Sequence, residues 1–244
     1  MMIIHGKNPL IEAIKSDRII IREIFIQKGK KSERIDIAVS LAHQKDVPVV
    51  FVDKKALDRL TGGATHQGIA GKTGKWPSPS LEEMVFHSQS VPLLVILDGV
   101  MDPHNLGAVI RTSECVGADA VIIPERNAVD VTPAVISASA GAAAHQNICR
   151  VKNISETIKK LKKKGIWIVG IDSGGTAPWT DIDFTVPVAV VLGEEGRGIR
   201  RLTRSFCDRM AYLPLKGRVE SVNLSVAAGV ILYEVFRQRR EEKK

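Results

Sequence analysis

The chain has 244 residues, 44% of them apolar, enough for one large domain or two ordinary ones with buried cores. Its net charge of +8 suits a polyanionic partner such as nucleic acid. Three separated cysteines with no CxxC pair, and six scattered histidines with no HxxxH or HExxH spacing, argue against a disulfide framework and a zinc cluster. A reducing cytoplasm fits that usage. "MMIIHGKNPLIEAIKSD" lacks the basic-then-apolar order of a signal peptide, and no apolar run approaches the roughly 20 residues that span a bilayer.

In chain order, Asn8 and Pro9 read as cap and first position of a helix over "PLIEAIKS". "REIFIQ" alternates as a strand does. Ser32 caps "ERIDIAVSLAHQK", where Ile35, Ala38, Val39 and Ala42 recur at helical spacing. "VPVVFV" reads as a short buried strand. Asp53 caps "KKALDRL", and the glycines of "TGGATHQG" end it. "HQGIAGKT" is not a phosphate loop, because His66 stands where the first glycine is needed. "GKTGKWPSPS" has the composition of a linker, followed by a capping box of Ser80 and Glu83 on "LEEMVFHS". The expected division is a small α/β domain at 1–73, a linker at 74–90 and a larger domain at 91–244.

The larger domain alternates strand and helix. "PLLVILD" is a strand and "NLGAVIRTSECVGA" a helix ended by Gly117. "DAVIIP" is a strand, "TPAVISASAGAAA" a helix of small residues, and "QNICRV" a strand. "SETIKKLKKKG" is an exposed basic helix capped by Ser155 and stopped by Gly165. "IWIVGID" and "VPVAVVLG" are strands, "GIRRLTRSF" a short helix, "MAYLPL" a strand. The last helix is apolar on every side after Val222, yet Ser221, Asn223 and Ser225 sit at its start. Only the tail "RQRREEKK" is low in complexity, and it reads as a solvated helix end. This order predicts an α/β fold with a parallel sheet covered on both faces.

Ligands of such sheets bind beyond the carboxyl ends of strands. Three strand ends carry unusual residues. In "LDGVMDPHNLGAVIRT", Asp98 ends the strand, Asn105 stands where a cap would, and Arg111 lies six residues on. In "VVLGEEGRGIRR", Gly193, Gly196 and Gly198 allow close backbone approach around Glu195. In "YLPLKGRVESVNLSVA", Ser221 and Asn223 open the helix. Turn chemistry and capping account for each stretch alone about as well as a ligand does. One cap needs one residue, however, so Asn223 and Ser225 are left over.

In this order, "DPHNLGAVIRT", "LGEEGRGI" and "LPLKGRVESVNLSVAAGVILYE" resemble the three motifs of the SpoU (TrmH-type) RNA 2′-O-ribose methyltransferases. The resemblance covers residues 92 to 240. The small domain, from "HGKNPLIEAI" to "THQGIAG", resembles the family's RNA substrate-binding domain, whose fold is like ribosomal protein L30e. Together the halves are most similar to members that methylate a guanosine of 23S rRNA. The resemblance implies a parallel sheet with a deep trefoil knot (SPOUT-type), S-adenosylmethionine as methyl donor, no metal, and a homodimer with its sites near the interface. It implies catalytic roles for Asn105, Arg111, Glu195, Ser221 and Asn223, and donor contacts at Leu192, Gly193, Gly196, Leu213 and Val222. Val222 departs from the usual leucine, and Glu194 stands where many members have a small residue.

Transfer to a ribose hydroxyl requires the oxygen to lose its proton and the forming anion to be stabilised. Guanidinium normally stays protonated. Arg111 is therefore expected to stabilise the alkoxide and grip the neighbouring phosphate, with Glu195 orienting its fork. His104 is either a general base or an ordinary loop residue. "KGKKSER", "KKLKKKG" and "RGIRRLTR" are candidates for RNA backbone contact, with Arg197, Arg200 and Arg201 foremost; each run read alone is also an ordinary solvated face. Two alternatives remain: a tRNA ribose methyltransferase of the same family, and a non-catalytic RNA-binding or ribosome-assembly protein.

Overall fold

The computed structural model describes residues 1–86 and 91–241. Its elements begin with β1 (Met2–His5), α1 (Lys7–Lys15), β2 (Ile21–Gln27), α2 (Glu33–Gln44), β3 (Val49–Val52), α3 (Lys54–Leu60) and β4 (Ile69–Thr73). Next come α4 (Leu81–Phe86), β5 (Leu93–Asp98), α5 (Pro103–Cys115), β6 (Ala120–Pro124) and α6 (Pro133–Ala138). They continue with β7 (Ile148–Val151), α7 (Ile154–Lys163), β8 (Trp167–Ile171), β9 (Ala177–Pro178) and β10 (Val188–Gly193). The last are α8 (Arg201–Ser205), β11 (Arg209–Tyr212) and α9 (Leu224–Glu241). The side chain of Glu83, residues 87 and 88 of the expected helix, and the last three residues of the expected tail lie outside the described residues.

Two compact units emerge, Met1–Pro77 with Val131–His145, and Ser78–Asp130 with Gln146–Lys244. In the first, four strands pair in the order β1-β4-β2-β3. β4 lies antiparallel to both β1 and β2, while β3 pairs parallel to β2. Ile4, Leu10, Ile14, Ile24, Ile26, Leu57 and Ile69 fill its core. Each such side chain contributes about 1.5–3 kcal/mol on burial. β3 is an edge strand with Phe51 57% exposed, not the buried strand its apolar run suggested.

Asn8 does not cap α1. Gly6 takes that position at φ +93°, and the Lys7 amide donates to Gln67 Oε1 at 3.1 Å. The Asn8 side chain instead accepts from Arg34. Ser32 and Asp53 do cap α2 and α3, accepting from the amides of Ile35 and Ala56.

The expected small-residue helix stops at Ala138, and a 3-10 turn follows at Ala142–Ala144. Ser16 Oγ donates to the Ala144 carbonyl at 2.7 Å, and Arg18 donates to that of His145 at 2.8 Å. His145 Nε2 stands 2.9 Å from Glu12 Oε2. Gly141 has φ +96°, and a Cβ there would press on Glu12. These contacts group 131–145 with the first unit.

The second unit is a seven-stranded sheet in the order β7-β6-β5-β10-β8-β11-β9, parallel at every pairing. β5, β6 and β10 are buried almost throughout, as a sheet covered on both faces requires. β10 sits between β5 and β8, with Gly193 opposite Asp98. The chain runs outward from β5 in one direction and resumes on the far side of β10, so the strand order reverses there. α7 is capped by Asn153, whose Oδ1 accepts from the Glu156 amide at 3.1 Å; Ser155 is buried instead. α9 is not buried all round. Ala228, Ile231, Leu232 and Val235 are fully covered, but Val226 is 53% and Tyr233 56% exposed.

Candidate active site

The three unusual strand ends converge. Asp102 caps α5, accepting from the amides of His104 at 3.1 Å and Asn105 at 3.3 Å. Relieved of capping, the largely buried Asn105 donates from Nδ2 to Glu195 Oε2 at 2.9 Å. Asn223 Nδ2 donates to Asn105 Oδ1 at 2.9 Å and Glu195 Oε1 at 3.2 Å. Residues from the first turn of α5 and two loops, up to 118 positions apart, thus close one hydrogen-bonded triangle. The Asn223 Oδ1 accepts from the Ser225 amide at 2.8 Å and the Ser225 hydroxyl at 2.6 Å, which caps α9. That explains the polar start of an apolar helix: one amide caps, bridges and engages Ser225.

Glu195 belongs to a turn built on glycine. The Glu194 amide donates to the Gly198 carbonyl at 3.1 Å, and the Gly198 amide returns to Glu194 at 2.8 Å. Gly196 and Gly198 have φ of +81° and +69°. A Cβ on Gly193 would run into the backbone of Gly198 and Ile199.

Beside this turn lies a cavity of ≈ 260 Å³. Its lining includes Leu192, Gly193, Glu195, Gly196 and Arg197 from one loop. Leu213, Leu215, Glu220, Ser221 and Val222 line it from another, joined by Ile171 and Asp172 beyond β8. All five expected donor positions and Ser221 therefore face one space. Apolar walls with exposed loop backbone suit an adenosine-like group, and Asp172, Glu194, Glu195 and Glu220 give it an acidic rim suited to a cationic donor.

Arg111 does not line the cavity. It is exposed on α5, about 9 Å along the helix from Asn105, and has no hydrogen-bond or ion-pair partner among the described residues. The two oxygens of Glu195 accept from Asn105 and Asn223, and no bond joins Glu195 to Arg111 in this structure, so the expected orientation of the Arg111 fork by Glu195 is not seen. Arg197 is 84% exposed, 3.7 Å from Glu194. Arg200 leans on Asp98 at 3.7 Å, and Arg201 is exposed at the start of α8. In the basic run of α7, Lys159, Lys160 and Lys162 pair with Glu156, Glu82 and Asp208.

Asp102, Asp172 and Glu220 escaped the sequence reading. Asp98 and Asp172 share a legible signal: each closes a buried strand, in "LLVILD" and "IWIVGID". Burial pushes the Cys207 thiol up to about 12, so it offers no thiolate at neutral pH. Among the described residues, no group of three or more His, Cys, Asp and Glu side chains is placed to hold a metal ion.

The SpoU rRNA Methylase family matches residues 92–233, more than half of the chain. The chain belongs to this family. The RNA 2′-O ribose methyltransferase substrate binding family matches residues 3–76. The chain is 37% identical over 227 residues to the 23S rRNA (guanosine-2′-O-)-methyltransferase RlmB of Pseudomonas syringae, covering 92% of this chain and 90% of the relative. It is 38% identical over 237 residues to RlmB of Xanthomonas campestris, covering 96% and 95%. In fold, this SpoU chain is similar to the methyltransferase AviRb of Streptomyces viridochromogenes, solved in complex with AdoMet. The TM-score is 0.84 at 24% identity, over 98% of this chain and 90% of that one.

Proposed function

We propose that this SpoU-family protein transfers a methyl group from S-adenosylmethionine to the ribose 2′-hydroxyl of a guanosine in 23S ribosomal RNA, in the cytoplasm. The observation that carries this reading is the Asn105–Glu195–Asn223 triangle at the edge of the cavity, because it joins all three family motifs. The relatives named above, similar over nine tenths of the chain, support the RNA and the nucleoside.

When bound, S-adenosylmethionine supplies an electrophilic methyl group. Backbone of Leu192, Gly193, Gly196, Leu213 and Val222, which line the cavity, would hold it, and the acidic rim would favour its positive charge. The triangle fixes the Glu195 loop against α5 and α9 before RNA arrives, so little reorganisation is needed during reaction. Ser221 faces the same cavity and can bond to donor or ribose. Arg111, exposed and unpaired, keeps its charge, stabilises the forming 2′-alkoxide and grips the adjacent phosphate. Arg197, Arg200 and Arg201 hold flanking phosphates.

The protein acts as a homodimer. Val226, Val230 and Tyr233 recur at helical spacing on α9, each at least 38% exposed, and form an apolar stripe that a second copy covers. The carboxyl-terminal segment is threaded as a trefoil knot. Membership of the SpoU family supports that reading. Mapping ribose methylation in 23S rRNA from cells with and without the protein tests the function. One guanosine is expected to lose its 2′-O-methyl group in its absence, and RNA with a 2′-deoxy target is expected not to react. Unchanged rRNA, or transfer to the deoxy substrate, would overturn the reading.

A further inference from the structure

β10 is flanked by two strands, and a carboxylate stands at the end of each. Asp98 is the last residue of β5, with a side chain only 1% exposed. Asp172 follows β8 directly and lines the cavity. The loop that leaves β10 at Gly193 returns between them. Its consecutive amides are taken one by each: Ile199 N–H donates to Asp172 Oδ2 at 3.1 Å, and Arg200 N–H to Asp98 Oδ2 at 3.0 Å. Asp172 Oδ1 also accepts from the Gly174 amide at 3.0 Å and from Arg204 Nη1 at 3.1 Å. Gly198 leaves room for this approach, since a Cβ there would collide with Asp172 Oδ2.

We infer that Asp98 and Asp172 are positioning residues that set donor affinity by clamping the return of the Glu195 loop from both neighbouring strands. The inference rests on the placement of the donor in the adjoining cavity. Leu192 to Gly198 form one wall of that cavity, so a loop free to lift would lose both the wall and the grip of Glu195 on Asn105 and Asn223. Asp98 Oδ1 is buried without a hydrogen bond, and Arg200 Nη1 stands beyond bonding distance at 3.7 Å. Burying a carboxylate with half its acceptors unfilled is costly. That cost is tolerated here in return for a fixed loop.

The test measures S-adenosylmethionine affinity by calorimetry, Michaelis constants for donor and RNA, and thermal midpoint. The full chain is compared with Asp98→Ala, Asp172→Ala, Asp98→Asn and Asp172→Asn. Removing a charge-assisted bond to a loop amide is expected to raise the donor Kd about tenfold or more in the alanine variants. The asparagine variants keep an acceptor of the same shape and are expected to fall in between. The Michaelis constant for RNA is expected to change less than the donor Kd in all four, since the Arg111 and Arg201 side chains bond to neither aspartate. A lowered midpoint with unchanged donor affinity would make these residues structural only and overturn the inference. If the alanine variants do not fold, the asparagine pair carries the same comparison. Val222→Trp, which fills the cavity from a partly exposed position, separates the premise. Wild-type donor affinity in that variant would overturn the placement of the donor and the inference with it. Loss there, with normal affinity in the aspartate variants, would overturn the clamp alone.

Discussion

Asn223 performs two tasks with one amide group. Its oxygen caps α9, and its nitrogen bridges Asn105 and Glu195. Asn223→Ser separates them, because a serine hydroxyl still caps while the amide donor is gone. Turnover is expected to drop about 100-fold or more, as on loss of one preorganised donor, with the thermal midpoint nearly unchanged. A large fall in midpoint with retained turnover would reduce Asn223 to a cap. Arg111→Lys is expected to lose most activity, since a point charge cannot replace the planar fork, while calorimetry still detects donor binding. Full activity in that variant would remove Arg111 from the mechanism. At this scale the sequence marked residues that the structure gathers together, but not the bonds that each one makes. Asn105 looked like the cap of α5, but Asp102, three residues earlier, is the cap and frees Asn105 for Glu195.

At the scale of elements, the turn after β10 depends on the absence of a side chain. Gly193→Ala would push a methyl group into the backbone of Gly198 and Ile199, which cannot rotate away as a side chain does. Such overpacking typically costs about 1–3 kcal/mol. The variant is expected to show a lowered midpoint in thermal denaturation and no measurable S-adenosylmethionine binding. The last helix carries its own acid-sensitive lock. Hydrogen bonds from Arg237 hold the Glu234 carboxyl below the usual carboxylate range against the opposing effect of burial, and Gln238 adds to them. A depressed value stabilises the fold above the usual range, and the benefit is lost as pH falls through the folded-state value. The difference in midpoint between wild type and Glu234→Gln is therefore expected to be largest near neutral pH and to close in strong acid. A difference independent of pH would exclude this linkage. Strand–helix alternation was legible because burial on both faces leaves continuous apolar runs. β1 and β4 were missed because His5, Gly6 and Gly71, Lys72 interrupt the pattern that marks a strand.

For the whole molecule, the proposed homodimer places the exposed stripe of α9 against a second copy. Val226→Arg is expected to shift sedimentation from dimer to monomer, since a buried unpaired cation is costly in such an interface. A wild-type chain that stays monomeric at micromolar concentration would argue against the stripe as an interface. The sequence by itself determined the α/β class, the parallel sheet and three stretches that the fold brings together, because periodicity and motif spacing are local properties. Only the tertiary structure decided which acid caps α5, that 131–145 packs with the amino-terminal unit, and that Asp98 and Asp172 grip consecutive amides of one loop. The last two outcomes depend on partners 27 to 128 residues away in the chain, and no local pattern records where a distant donor will come to rest.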